Sequence, residues 1–227
     1  MLPRLHLSGS RPSVLECGCG TGPGACFLAE RGFEVDAFDL IPTAIEIARK
    51  IALERHLEIR YEVMDVCELP HEGKRYDLIV DSFCLQGIAA DPDRRRVLMA
   101  VRARLKRDGY YLISTAMRKE WNVSSENPIL DPHSGRLFYR YAEESLLEED
   151  TGLVYQPFHG SPEEYEGTLK IGDEWYLLNR RHLTPPMLKA ELEGAGFKVL
   201  YQDGVCGENA VCVLPSAAVS VSPARQS

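Results

Sequence analysis

Along this 227-residue chain, apolar positions recur with two different periods, and the switches between them mark out elements. Val14-Leu15 opens a short apolar strand that runs directly into glycines. Residues 25–31 predict a helix, with Pro23 at its start, where a fixed φ and a missing N–H are tolerated, and Gly32 at its end. Residues 33–40 (FEVDAFDL) predict a second strand. Residues 43–55 predict a second helix begun by Pro42, with Ile45, Ala48, Ile51 and Ala52 on one face. Residues 57–66 and 76–83 predict a third and a fourth strand, the fourth apolar enough to be buried on both faces. Residues 92–107 predict a basic helix. Val97, Leu98, Val101 and Leu105 face inward, the arginines form a solvated outer face, and Asp108-Gly109 is the stop. Residues 110–116 predict a fifth strand.

Strands alternating with helices imply βαβ units and a doubly wound, mostly parallel sheet with helices on both faces. The alternation then breaks. Residues 118–180 are polar, aromatic-rich and irregular, with one strand pair suggested around Gly172-Asp173. A connection of that length is long for a simple crossover, so 118–180 is read as an insert or lid between the fifth and sixth strands. Regular structure returns at Thr184-Pro185-Pro186, which starts a helix to about residue 193, followed by strands at 197–202 and 210–214. The expected organisation is a flexible leader at 1–12, one domain at 13–214 and a disordered tail at 215–227.

Composition adds bounds. Hydrophobic residues make up 44% and charged residues 26%, as in a globular domain with its own core. A net charge of −8 disfavours a phosphate backbone as partner, so no nucleic acid is expected. No apolar run approaches the roughly 18 residues of a membrane helix, so the expected location is the cytoplasm, with no membrane partner. The seven cysteines are odd in number and several sit in apolar runs, so they read as reduced, buried thiols. No second CxC or CxxC follows with ligand spacing, and no metal is expected.

The most informative stretch is VLECGCGTGPGACFLAERG, residues 14–32. A strand, then E-x-G-x-G-x-G, then a helix brings a ligand against the main chain. Gly18, Gly20 and Gly22 have no Cβ to hold a ligand away; Cys17 and Cys19 fill variable positions. The dinucleotide fingerprint G-x-G-x-x-G counted from Gly18 meets Pro23 instead of a third glycine. Glu16, just before the first glycine, disfavours a pyrophosphate there. Asp39, at the end of the second strand, can bind the hydroxyls of a ribose.

Taken together, VLECGCGTGPG, VDAFDLIPTAIEIARK, YEVMDVCELP and YDLIVDSF resemble the class I S-adenosylmethionine-dependent methyltransferases over residues 13–116 and again over 184–214. The resemblance implies a Rossmann-like sheet of seven strands, the last antiparallel. It implies S-adenosylmethionine as cofactor and S-adenosylhomocysteine as product. Glu16, Gly18, Gly20 and Gly22 would cradle the methionine part. Asp39 would bind the ribose, with Leu40 on the adenine. Asp65 would bond the adenine amino group, with Val66 beside the ring. Asp81, Ser82 and Phe83 would lie near the methionine part and the reacting methyl.

Methyl transfer from a sulfonium needs positioning and a dry site more than an acid–base pair, and no catalytic residue is assigned. Gln86, Trp121, Trp175, Tyr176 and His182 are the candidate acceptor contacts; the insert's aromatics could equally form its own core. The stretch Asp81-Ser82-Phe83-Cys84 lacks the Asn/Asp-Pro-Pro-aromatic tetrapeptide, which weighs against methylation of exocyclic amino groups on bases. A small organic acceptor and a monomer or homodimer are expected. A protein acceptor, a non-catalytic cofactor-binding module and a nicotinamide-dependent oxidoreductase are the alternatives.

Overall fold

The computed structural model describes residues 5, 7, 9–118, 128–132, 134–160, 165 and 167–215. One sheet is built from β1 (Ser13–Cys17), β2 (Glu34–Asp39), β3 (Ile59–Val63), β4 (Tyr76–Ser82), β5 (Leu105–Ser114), β12 (Lys198–Asp203) and β13 (Asn209–Val213). Its order is β12-β13-β5-β4-β1-β2-β3. β1 pairs in parallel with both β2 and β4, while β13 is antiparallel to both β5 and β12. The expected α/β architecture, a mostly parallel seven-stranded sheet with an antiparallel last strand, is therefore present. The chain reverses its direction of travel across the sheet between β1 and β4, which is where such sheets open a crevice at their carboxyl ends.

The helices are α1 (Pro23–Ala29), α2 (Pro42–Glu54), α3 (Asp91–Arg104) and α4 (Pro185–Gly194), each with proline in its first turn. Two apolar clusters cover the two faces. One joins Leu15, Cys17 and Ile79 to Val97, Leu98 and Val101 of α3 and Leu188 and Leu192 of α4. The other joins Val14, Val35 and Leu78 to Ala25 and Leu28 of α1 and Ile45 and Ala48 of α2. Every residue of β1 is buried, as a strand covered on both sides must be.

Two sequence expectations need correction. The basic helix ends at Arg104, not at Asp108-Gly109; Leu105 already belongs to β5. Gly109 lies inside that strand, where the register with β4 shifts. A Cβ on it would stand 2.9 Å from the Tyr76 carbonyl, so this glycine permits a close strand approach instead of stopping a helix. Nor do the α3 arginines all face solvent. Arg94 is 2% exposed and Arg104 is 9% exposed. Arg94 donates from Nε and Nη2 to both carboxylate oxygens of Glu191 on α4, and from Nη1 to the carbonyls of Leu85 and Ile88. Arg104 donates to the carbonyls of Pro70, Glu72 and Lys74. Both arginines serve as buried braces for the loops that follow β3 and β4.

The irregular reading of 118–180 is also corrected. The described part of this segment holds a six-stranded antiparallel sheet of β6 (Ile129–Leu130), β7 (Leu137–Arg140), β8 (Leu146–Glu148), β9 (Leu153–Phe158), β10 (Thr168–Ile171) and β11 (Glu174–Arg181). Gly172-Asp173 is indeed the turn between β10 and β11. The strands are short, and a bulge between Leu178 and Arg180 breaks the alternation that would announce a strand. The sheet has its own core of Phe138, Leu146, Tyr155, Leu169 and Tyr176. It joins the larger body where Met117 and Leu183 pair in parallel as the chain leaves and returns, and where Arg181 of β11 pairs with Asp91 of α3.

Among the described residues, no helix is long and apolar enough to cross a membrane. All seven cysteines are free, with Cys17, Cys19, Cys26 and Cys212 buried and Cys67, Cys84 and Cys206 half-buried. Burial pushes the Cys19 and Cys212 thiols up to about 12 and Cys67 to about 11, so they are protonated at neutral pH.

Candidate functional site

β1 delivers the glycine turn to the carboxyl end of the sheet, and the glycines there do different jobs. A Cβ on Gly18 would stand 2.7 Å from the Cβ of Cys84, so the turn packs against the segment leaving β4. Gly22 caps α1 with φ 82°, and a Cβ there would meet the Tyr61 hydroxyl. A Cβ on Gly24 would collide with the carboxyl of Glu16. At Gly20, φ is 55° and nothing lies within 4 Å of where a Cβ would stand. Three of the glycines thus make room for protein, and Gly20 alone faces open space.

The acids fasten this turn. Asp39, at the end of β2, accepts from the Gly20 N–H at 2.8 Å through one oxygen and from the Ile41 N–H at 2.9 Å through the other. Its carboxylate therefore fixes the open glycine directly. Glu16 is 3% exposed. Burial pushes its carboxyl up to about 7, partly offset by the Ala25 N–H in the first turn of α1. One of its oxygens, Oε2, is buried with no hydrogen-bond partner. Asp65 accepts from the Cys67 N–H at 2.8 Å and caps the single turn Val66–Glu68. Val66 is buried, in the cluster below α3.

Asp81, the last residue but one of β4, is 2% exposed. It accepts from the N–H groups of Cys84 and Leu85. Burial pushes it up to about 7, against the opposing effect of those N–H groups and of the Arg94 charge. Ser82 and Phe83 are exposed, and Phe83 takes the left-handed conformation, with φ 65°. Glu16 to Gly22, Asp39-Leu40, Asp65 and Ser82-Phe83 thus lie at the carboxyl ends of four adjacent strands. Leu40 and Phe83 are 58% and 55% exposed, so the described part of the insert leaves these apolar side chains uncovered.

The candidate acceptor residues do not converge in the same way. The Gln86 amide accepts from the Ala116 N–H at 2.8 Å, tying the exits of β4 and β5 together. Tyr176 is 2% exposed inside the insert's own core, with its hydroxyl donating to Glu174, so its ring is no free pocket wall. Phe138 and Tyr155 belong to that same core. Trp175 is half-buried under Lys170, whose Nζ lies 5.7 Å from the ring centroid. His182 is half-buried, with Nδ1 3.1 Å from the Tyr141 hydroxyl. Trp121 lies outside the described residues. Sequence reasoning missed Gly24, Cys84 and Tyr61, which shape the turn. The glycine at 24 was the available signal, since it interrupts the first turn of α1.

Residues 14–109 match a family described as a methyltransferase domain. The match takes in the glycine turn, Asp39, Asp65, Asp81 and Phe83, and stops before the insert. Two curated relatives named ubiquinone biosynthesis O-methyltransferase align over 116 residues. That from Xanthomonas euvesicatoria pv. vesicatoria is 33% identical over 51% of this chain and 46% of its own length. That from Xylella fastidiosa strain M23 is 34% identical over 51% and 45%. The chain spans about half the length of the curated relatives it matches. A solved S-adenosylmethionine-dependent methyltransferase from Clostridium acetobutylicum superposes with a TM-score of 0.63 at 17% identity, over 90% of this chain and 84% of its own. The glycopeptide N-methyltransferase MtfA, solved with S-adenosyl-L-methionine, superposes with a TM-score of 0.59 at 22% identity, over 94% and 90%. The fold is thus shared with S-adenosylmethionine-dependent methyltransferases along nearly the whole chain, and the resemblance read from the sequence stands.

Proposed function

We propose that this chain is an S-adenosylmethionine-dependent methyltransferase acting on a small organic acceptor. The observation that carries this reading is the open face at Gly20, clamped by Asp39 and flanked by exposed Leu40 and Phe83, inside a segment that matches a methyltransferase domain. A carboxylate between two exposed apolar side chains fits a ribose whose base and aliphatic chain lie on either side of it.

In this reading Asp39 accepts from the ribose hydroxyls while still holding the Gly20 N–H. Leu40 and Phe83 give up water-exposed apolar surface on binding, worth about 25 cal/mol per Å² covered. Gly20 lets the main chain approach the methionine part, in a turn whose tight packing Gly18 and Gly22 permit. Asp65 sits where an adenine amino group would be read, with Val66 below. Glu16 and Asp81 act as positioning residues: one backs the turn at Gly24, the other holds the exit of β4. When bound, S-adenosylmethionine supplies a methyl on a sulfonium, which passes in line to the acceptor and leaves S-adenosylhomocysteine. The chain's part is to align the acceptor and exclude water, and no general base is assigned.

The small acceptor is supported by the relatives' names, by the absence of the Asn/Asp-Pro-Pro-aromatic tetrapeptide after β4, and by the net charge of −8. Gln86, which ties the exits of β4 and β5 together, and His182, next to the return at Leu183, are the proposed acceptor side, with Trp175 further along β11. A cytoplasmic monomer or homodimer completes the reading. The test is calorimetric titration with S-adenosylhomocysteine, with NADH in parallel. Stoichiometric binding of the former alone is expected. Binding of NADH alone would replace this reading with an oxidoreductase, and tight binding with no transfer to any acceptor would make the chain a cofactor-binding module.

A further inference from the structure

A second cavity lies away from the glycine turn and shares no residue with it. It is a cleft of about 840 Å³ between α3 and α4, closed at one end by residues 150–151 and 181–183 at the foot of the insert. That volume is within the roughly 300–1,000 Å³ of small-molecule sites. On α3 the wall is Arg95, Leu98, Met99 and Arg102, one stripe at helical spacing. On α4 it includes Met187 and Ala190. Met99 is 49% exposed, so this wall presents apolar surface to water.

The charges along the cleft are unevenly committed. Asp91 is held by Arg181 and Glu191 by Arg94, while the exposed Asp150 is a third carboxylate on the wall, at the foot of the insert. Among the described residues, Arg95 and Arg102 have no ion-pair partner, in a chain whose net charge is −8. Seven residues apart on a helix, they stand about 10 Å apart along its axis. Gly196, just beyond α4, leaves the room that Arg102 occupies: a Cβ there would stand 3.0 Å from the Arg102 Nε. The glycine thereby lays this guanidinium across the end of the cleft.

We infer that this cleft binds a free anionic amphiphile, a single carboxylate, sulfonate or phosphate head on an apolar body. The head lies against the Arg102 guanidinium, Arg95 attracts it from about 10 Å along α3, and the body covers Met99, Met187 and Ala190. The inference does not depend on the methyl-transfer reading, because none of these residues touches the glycine turn. Arg181 and Leu183 at the closed end belong to the strand and return path of the insert, so occupancy braces the insert's foot against α3.

The probe is 8-anilinonaphthalene-1-sulfonate, an anion with an apolar body, followed by fluorescence on the full chain. One saturable site, displaced by laurate and unaffected by saturating S-adenosylhomocysteine, is expected. R95E/R102E should weaken the dye at least tenfold. Ala190 is exposed; Ala190→Trp fills the cleft without disturbing the core and should abolish binding. Unchanged binding in both variants overturns the inference, as does displacement by S-adenosylhomocysteine. Binding only to phosphatidylglycerol vesicles, with no competition by laurate, also overturns it.

Discussion

The two sheets of this molecule specify their surroundings by different means. At the carboxyl end of the seven-stranded sheet, the main chain itself makes the site: four strand ends, a turn of glycines, and carboxylates that bond to N–H groups. In the six-stranded insert, the side chains do the work, and its best aromatics are spent on its own core. Residue types in the first region follow from backbone geometry and tolerate little change. Those in the second follow from packing, which many side-chain sets can satisfy. A fold can therefore hold its cofactor end constant while the insert varies.

The sharpest test of that separation is Phe138→Ala. The ring is fully buried in the insert's core, and its loss should cost about 3–5 kcal/mol in stability. Affinity for S-adenosylhomocysteine should stay within about twofold by calorimetry, or less than 0.5 kcal/mol. A parallel fall in affinity would mean that the two regions are one cooperative unit.

Next in size is a pH effect confined to the glycine end. Glu16 titrates at about 7 when folded against 4.5 as a free side chain. The folded state thus holds the extra proton, and stability falls as pH rises from 4.5 to 7. The Glu16 contribution is up to about 3 kcal/mol. Glu16→Gln should remove that part of the slope in melts run between those limits, leaving the Asp81 part, which has the same sign. An unchanged slope would show that Glu16 is charged in the fold.

The glycines should separate by role. Gly24→Ala forces a methyl into the Glu16 carboxyl and should cost about 1–3 kcal/mol in stability. Gly20→Ala places its methyl in open space, so its folding cost should be only the left-handed strain of about 1–2 kcal/mol, with cofactor affinity lost at least tenfold. Asp39→Ala should weaken the cofactor by about 1–3 kcal/mol, read by the same titration. The smallest effect is expected from Cys19→Ser, which should leave affinity within about threefold, below 1 kcal/mol. A large loss there would give the thiol a role beyond filling its place.

Much of the larger sheet was legible in the sequence because its central strands β1 and β4 are rich in buried apolar residues and its helices start at prolines. The glycines and Asp39 stood out because a tight turn beside a strand end restricts what can occupy it. Other features were hidden for physical reasons. Arg94 looks like its exposed neighbours Arg95 and Arg96 until Glu191, far along the chain, is placed beside it. Asp81 reads as a mouth residue, yet its carboxyl turns to the N–H groups of Cys84 and Leu85. The insert's strands, of two to eight residues with a bulge, carry too little alternation to be seen before they pair.

The pairing of Met117 with Leu183 makes the insert a replaceable cassette. The chain departs and returns through adjacent points, so the segment between them can be exchanged for one of another length without moving the strands on either side. Closing a longer loop adds only about 0.6 kcal/mol per doubling of its length. A lineage, or an engineer, could thus graft a new recognition surface onto the same cofactor end in a single recombination event. The junction to preserve would be this bridge together with the pair of Arg181 and Asp91 that ties the insert's last strand to α3.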